Sequence, residues 1–515
     1  MAAMDVKHML YDYFGYENFR EGQEEIINDI LKGHNCLGIL PTGSGKSLCY
    51  QLPSLLLPGV TIVISPLISL MIDQVKQLKA HGIKNVAALN SFMDRSERAE
   101  VFRHLGRYNV LYMSPEMIQN EWVQAHLKTI TVSLLVVDEA HCISQWGHEF
   151  RTDYMRLASA IQVLGEPTIL ALSATATPDV QQDIINQLSP SCDMVRHVYP
   201  MDRTNISFAV ERCSQDEDKL RRIRSLLESR HVPSMIYFSS RQWTEQAAYY
   251  LQEHTKDVRI SFYHGGMEQT DRLLVQQQFM NNQLDVVCCT SAFGMGVDKQ
   301  NIRMVIHFHV PAQVESFIQE VGRAGRDGRH SVSLVLYNDR DYHIPARLNE
   351  RELPAIGRMD EIFRQLEFFM TSGPSLPADE DMQEALQLSE AQWNFLQRQL
   401  EIRGLIAKRK IRVHEPRFWQ AEKQRITEFI KLRMQYKQSK LTEMISWIDT
   451  SMCRREQLFS AFQDTIRNPE VPCCDGCGFC VDESPRSPST QARVVSDWQE
   501  RLRRIFNQEV TYGKT

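Results

Sequence analysis

Pro41-Thr42-Gly43-Ser44-Gly45-Lys46-Ser47 sets two glycines beside a lysine and a hydroxyl, and these residue types at this spacing suit a polyphosphate. The glycines let backbone N–H groups close on phosphate oxygens, and a helix opening at this point would favour the negative charge. Lys46 would reach the β- and γ-phosphates and Ser47 would bind Mg2+, with Thr42, Gly43, Ser44 and Gly45 forming the cradle. The full motif has glycine where Leu40 stands, whereas the shorter Thr-Gly-x-Gly-Lys-Ser form is intact. A glycine turn with a surface lysine is the plain alternative.

Asp138 and Glu139 follow the apolar run Leu134-Leu135-Val136-Val137. Such a run fits a strand buried on both faces, and open α/β sheets bind ligands at the carboxyl ends of their strands. Asp138 is placed to hold the Mg2+ and Glu139 to orient and polarise an attacking water. A solvated acidic turn or a buried ion pair is the competing reading. A third cluster reads Cys453-x20-Cys474-x2-Cys477-x2-Cys480, where soft thiolates at close spacing fit a tetrahedral structural Zn2+. Cys473 is a fifth candidate, and the even x2–x2 spacing favours Cys474 over it.

The elements that must position these residues follow from the apolar pattern. Runs at Cys36–Leu40, Thr61–Ser65, Val110–Met113, Leu134–Val137 and Thr168–Leu172 alternate with amphipathic stretches such as Leu70–His81. A second alternation has strands at Ser234–Phe238, Ile260–Tyr263, Val286–Cys289, Met304–Phe308 and Val332–Leu336. The pattern predicts two α/β domains in series, residues 1–200 and 201–340, with a cleft between them. The rest is mainly helical. A helix opening at Ser389, followed by the basic strand Ala407–Val413, resembles a winged helix within residues 341–415. A zinc-binding helical module spans 416–482, and a polar linker leads to a last amphipathic helix at Val494–Phe506 within 483–515.

The net charge of −6 over 515 residues means that any nucleic-acid binding must come from local basic patches. No apolar run approaches a membrane span, and the start lacks a signal-peptide core, so a soluble, cytoplasmic protein is expected.

Pro41–Ser47, Asp138-Glu139-Ala140-His141 and Ser173-Ala-Thr-Ala-Thr177 resemble the motifs of DExH helicases. Three further stretches are similar to the RecQ family of DNA helicases: Phe14–Gln23, Cys142–Arg151 and Gln319–Gly328. The resemblance covers about residues 8–340 and resumes at Cys453–Cys480. It implies two tandem RecA-like parallel-sheet domains, ATP with Mg2+, a zinc module, and 3′-to-5′ movement on single-stranded DNA that unwinds duplex DNA. Gln23, Tyr16 and Arg20 match the adenine-reading motif, and the Gln23 amide has donors and an acceptor that can pair with an adenine edge. Arg323 and Arg326 match the arginine fingers. Gly294-Met-Gly296-Val-Asp298 is placed by the resemblance at both nucleotide and DNA. Trp146, His148, Phe150 and Arg151 form the aromatic-rich loop, suited to stacking on bases and contacting phosphates. Ser65, Ser239, Arg241 and His264 lie in motifs similar to the family's DNA-backbone contacts, with Ser239 where the family usually has Asn. Single-strand-binding or repair proteins are conceivable partners, no membrane is implied, and a monomer is expected. An RNA helicase of the DExH class and a zinc-stabilised DNA-binding protein with a weak ATPase are the rival readings. One departure from the family is the roughly 110 residues between Tyr337 and Cys453, which put the winged unit before the zinc module.

Overall fold

The computed structural model describes residues 5–90, 93–144, 153–154, 157–189, 193–294, 298–372, 375–407, 410–412, 415–463 and 465–483. The expected helix at Val494–Phe506 lies outside them.

Seven strands build the first sheet: β1 (Cys36–Ile39), β2 (Val60–Ile64), β3 (Val86–Leu89), β4 (Val110–Met113), β5 (Val132–Val137), β6 (Thr168–Ser173) and β7 (Val195–Val198). All pair in parallel, in the order β3-β4-β2-β5-β6-β1-β7. The period-2 geometry of a strand explains the apolar run at its centre. Leu135 and Val137 of β5 enter one buried core, and Leu134 and Val136 enter another on the opposite face.

The second sheet has six parallel strands: β8 (Ile206–Arg212), β9 (Ser234–Tyr237), β10 (Ile260–Tyr263), β11 (Val286–Cys289), β12 (Met304–His307) and β13 (Ser331–Tyr337). Their order is β10-β11-β9-β12-β13-β8. One apolar cluster runs through both sheets, joining Leu37 and Ile39 to Met235 and Val287. Three strands absent from the sequence pattern, β3, β7 and β8, are all sheet edges.

Beyond β13 the chain is helical. Helices Asp379–Leu386 and Glu390–Ile402 lead into two short antiparallel strands, β14 (Ile406–Ala407) and β15 (Lys410–Ile411). The single basic strand expected here is thus a small hairpin. The helix begins at Ser389 as expected, with a reciprocal cap between Ser389 and Gln392. A 33-residue helix, Pro416–Ile448, follows. It binds the second α/β unit through Lys440 and Glu315 at 2.6 Å and through Trp447 packed on Phe317 at 4.6 Å between ring centres.

Lys219 holds the second unit to the start of the helical region. It is fully buried, 2.6 Å from the Asp341 carboxylate, and donates to the Phe308 carbonyl at 2.8 Å. Removing one partner of a buried pair strands the other charge. Lys219→Met should therefore cost about 3 kcal/mol or more in urea unfolding. Lys219→Met/Asp341→Asn should recover part of that loss.

Candidate nucleotide and nucleic-acid site

Strand β1 ends at Ile39, and the phosphate-loop residues follow before a short helix at Leu48–Gln51. Gly43 and Gly45 have φ of +85° and +78°, a region where side chains are strained. The loop opens on a cleft of about 470 Å³ between the two sheets. Thr42, Gly43, Gly45, Lys46, Ser47, Asp138 and Glu139 line it from the first unit, and Asp298, Arg323 and Arg326 from the second. Tyr16, Arg20 and Gln23 close the same cleft at its outer side. The Gln23 amide donates to the carbonyls of Ser44 and Gly45 at 2.9 and 3.0 Å and accepts from the Arg20 N–H at 2.9 Å. Arg20 donates to the Gly43 carbonyl at 2.6 Å. Two of the three expected adenine-reading residues, Gln23 and Arg20, thus hold the phosphate loop.

At the end of β5, burial raises the Asp138 carboxyl to about 6, the neighbouring Glu139 adds to the rise, and Lys46 opposes it. Glu139 stands at φ +49°, in the left-handed region, and its N–H donates to Asp138 Oδ1 at 3.0 Å. The Glu139 carboxylate lies 3.9 Å from Lys46 Nζ and 3.5 Å from His141 Nδ1, and its buried Oε2 has no hydrogen-bond partner among the described residues. His141 Nδ1 lies 2.9 Å from Ser173 Oγ, which donates to the Thr175 carbonyl at 3.2 Å. A carboxylate with raised affinity for positive charge and an orphaned acid oxygen, beside a loop shaped for phosphate, fit a nucleotide carrying Mg2+.

From the second unit, Arg326 pairs with Asp298 at 2.6 Å, and Arg323 donates to the Gly294 carbonyl. A Cβ at Gly294 would sit 2.6 Å from the Arg323 guanidinium carbon, so only glycine allows that approach. Burial pushes the Arg326 guanidinium below its ordinary value despite Asp298. One residue between the two units carried no sequence signal. Arg203 donates to the carbonyls of Thr42, Gly322, Ala324 and Gly325 and so touches both units.

This geometry has known counterparts. A DEAD/DEAH box helicase family model matches residues 20–184, and a helicase conserved C-terminal domain model matches residues 218–328. The chain is 39% identical over 505 residues to the probable ATP-dependent DNA helicase RecS of Bacillus subtilis (strain 168), covering 98% of each chain. It is 42% identical over 349 residues to the ATP-dependent DNA helicase RecQ of the same organism, covering 67% of this chain and 58% of that one. The chain belongs to the RecQ family of helicases. The helicase Lhr of Mycobacterium smegmatis, solved with single-stranded DNA and AMP-PNP, shares the fold at a TM-score of 0.55 and 20% identity, over 76% of this chain and 56% of that one.

The RecQ-type aromatic loop residues Trp146, His148, Phe150 and Arg151 lie outside the described residues, as does Gly296. Ser65 is buried just beyond β2, and its hydroxyl has no hydrogen-bond partner among the described residues. The Ser239 N–H donates to His309 Nδ1 at 3.1 Å. Arg241 leans on Gly266, 2.9 Å from where a Cβ would stand. His264 is buried, with Nδ1 accepting from the Gly266 N–H at 3.2 Å and Nε2 2.7 Å from Glu245. Both ring nitrogens are used inside the protein, so His264 shapes the Gly265-Gly266 turn. No helix among the described residues is long and apolar enough to cross a membrane.

The thiols of Cys453, Cys473, Cys474 and Cys477 all lie within 4.8 Å of one another. Their sulfurs are 3.5 Å apart for Cys453 and Cys473, 4.0 Å for Cys453 and Cys474, and 3.5 Å for Cys474 and Cys477. Four thiolates around a tetrahedral ion at ~2.3 Å stand about 3.8 Å apart, so this set fits Zn2+. This grouping differs from the set read from spacing by including Cys473 and leaving out Cys480; Cys477 and Cys480 are both exposed. Phe479 and Val481 on either side turn into the core of the second unit, and Cys480 between them faces outward.

Two tests follow. Cys473→Ser should release the zinc found by metal analysis, whereas Cys480→Ser should retain it; the opposite pattern would restore the spacing-based set. The second test concerns Asp138, whose folded value of about 6 lies above the ordinary 3.8. Its ionisation therefore opposes folding, by nothing below about pH 4 and in full above about pH 6. Asp138→Asn should stabilise the nucleotide-free protein at pH 8 by up to about 3 kcal/mol and give no gain near pH 4, as read by thermal melting.

Proposed function

We propose that the protein is an ATP-dependent DNA helicase that moves 3′ to 5′ on single-stranded DNA and unwinds duplexes. The carrying observation is the cleft itself, where Lys46, Asp138 and Glu139 from one unit face Arg323 and Arg326 from the other. The names of the RecS and RecQ relatives support DNA as the nucleic acid.

In this reading Lys46 and the loop N–H groups bind the β- and γ-phosphates, and Ser47 and Asp138 hold the cation. Mg2+, when bound, neutralises charge shared between the β- and γ-phosphates. Glu139 orients and polarises the attacking water and accepts the proton it gives up, with His141 beside it. Arg323 and Arg326 turn from Gly294 and Asp298 onto the phosphates as charge develops. The path from Glu139 through His141 to Ser173 and Thr175 crosses to the end of β6, and DNA bound on the Trp146–Arg151 loop is felt at the acid. Ser65, Ser239 and Arg241 contact the backbone of the DNA. Zn2+ on Cys453, Cys473, Cys474 and Cys477 has a structural role, since four thiolates leave no open position. One chain supplies both walls of the cleft, so a monomer suffices.

Glu139→Gln should keep nucleotide binding within about threefold while lowering the DNA-stimulated ATP turnover by about 100-fold or more. Unwinding of a 3′-tailed DNA duplex should exceed that of a 5′-tailed one and of an RNA duplex. Equal activity on RNA would favour the RNA-helicase reading.

A further inference from the structure

The segment between β7 and β8 is more than a connection. Arg203 Nη1 donates to the Thr42 carbonyl at 3.0 Å and to the Gly322 carbonyl at 3.2 Å. Its Nη2 donates to the Gly325 carbonyl at 2.6 Å and the Ala324 carbonyl at 3.4 Å. Thr42 belongs to the loop that carries Lys46, and Gly322 to Gly325 flank Arg323 and precede Arg326. One guanidinium thus ties the phosphate loop to the turn that bears both arginines. A planar fork with five N–H groups can address two loops at once, which an ammonium cannot do with the same geometry.

All four of these bonds go to neutral carbonyls, and Asp327 offsets part of the charge from a distance. Burial pushes the Arg203 guanidinium down to about 10, and the positive Arg326 and Arg20 nearby add to the effect. Gly43 lies between two of these groups: a Cβ there would be 3.1 Å from Arg326 Cγ and 3.3 Å from Arg203 Nη1.

The same segment is gripped from behind by the cysteine module. Arg455, two residues after Cys453, donates to the Arg203 carbonyl at 3.0 Å and also binds the Asp202 carboxylate and the Ile206 carbonyl. Asp202 and Arg455 are both almost fully buried. The Met201 N–H donates to Gln463 at 2.8 Å, and the Glu470 N–H donates to the Thr204 carbonyl at 3.0 Å. Every residue from Met201 to Thr204 therefore has a partner between residues 455 and 470, directly or through its backbone. Arg467 of the same stretch pairs with Glu21 at 2.6 Å, next to the segment that carries Gln23.

We propose that Arg203 is a positioning residue for phosphoryl transfer, setting the phosphate loop against Arg323 and Arg326, and that the cysteine module acts on the ATP site through it. The inference rests on ATP hydrolysis in this cleft, which the Glu139→Gln comparison tests separately. Nucleotide binding draws mainly on the first unit and should survive loss of the tie. Turnover needs both units in register and should not survive it.

The experiment measures the Kd of a fluorescent ATP analogue, kcat and KM for ATP with saturating single-stranded DNA, bound zinc and Tm, all on the full chain. Arg203→Ala should lower kcat by about tenfold or more while the analogue's Kd stays within about threefold. Arg203→Lys should fall between it and the parent. Arg455→Lys should lower kcat several-fold, and Arg203→Ala/Arg455→Lys should be no slower than Arg203→Ala alone, because both changes cut one path. If Arg203→Ala turns over within about twofold of the parent, the positioning role is wrong. A parallel loss of Kd and Tm with kcat intact would make Arg203 merely structural. If Arg203→Ala does not fold, Arg203→Lys decides by the same kcat criterion. Additive losses in the double variant would sever the cysteine module from the ATP site.

Discussion

The structure depends on keeping like charges close together with only part of their counter-charge. Asp138 and Glu139 share one end of β5, and burial with mutual repulsion holds the Asp138 carboxyl up. Around Gly43, Arg20, Arg203 and Arg326 crowd together, with Asp298 paired to Arg326, and burial and mutual repulsion hold Arg203 down. Neither set is stable by attraction to itself. Each is fixed by a scaffold that cannot relax: a strand buried on both faces beneath the acids, and carbonyls of tight turns beneath the arginines. A polyphosphate with its cation carries both signs of charge and satisfies both sets at once. The energy that folding spends on holding these groups apart from their partners is what makes the cleft selective for such a ligand.

Much of this was legible in the sequence because the central strands are buried on both sides and read as continuous apolar runs. Strands β4, β10 and β11 match the runs residue for residue, and β5 extends only two residues earlier. Three of the four sheet edges, β3, β7 and β8, were not legible, whereas the edge strand β10 was. Val195 and Val198 of β7 are exposed, and β8 ends in Glu211 and Arg212, so neither shows an unbroken apolar signal. Gly43, Gly45 and Lys46 announced the phosphate loop because backbone geometry demands those types. Arg203 announced nothing, since a single arginine in a connector has no spacing to read. Its role exists only once Thr42 and Gly322 are brought to the same place. The cysteines show a related limit: even spacing favours Cys474 over Cys473, whereas the sulfurs of both stand in one cluster, and Cys480 lies between the buried Phe479 and Val481.

The long interval between Tyr337 and the cysteines looked like a break with the RecQ plan, yet the structure shows how the chain returns. The helix Pro416–Ile448 spans roughly 50 Å at the usual rise per residue, enough to cross a domain, and it lies along the second unit through Lys440 and Trp447. The cysteines it delivers cover β8, the outer edge of the second sheet. The Phe208 N–H donates to the Cys473 carbonyl at 3.1 Å, and the Val210 N–H donates to the Asp475 carboxylate at 3.1 Å. An uncovered edge would present those donors to any other strand. Covering the edge also places Arg455 against the Asp202–Ile206 segment. The contact that finishes the second sheet is therefore the one that reaches the ATP cleft, and chain distance between core and cysteines matters less than which strand the cysteines must cap.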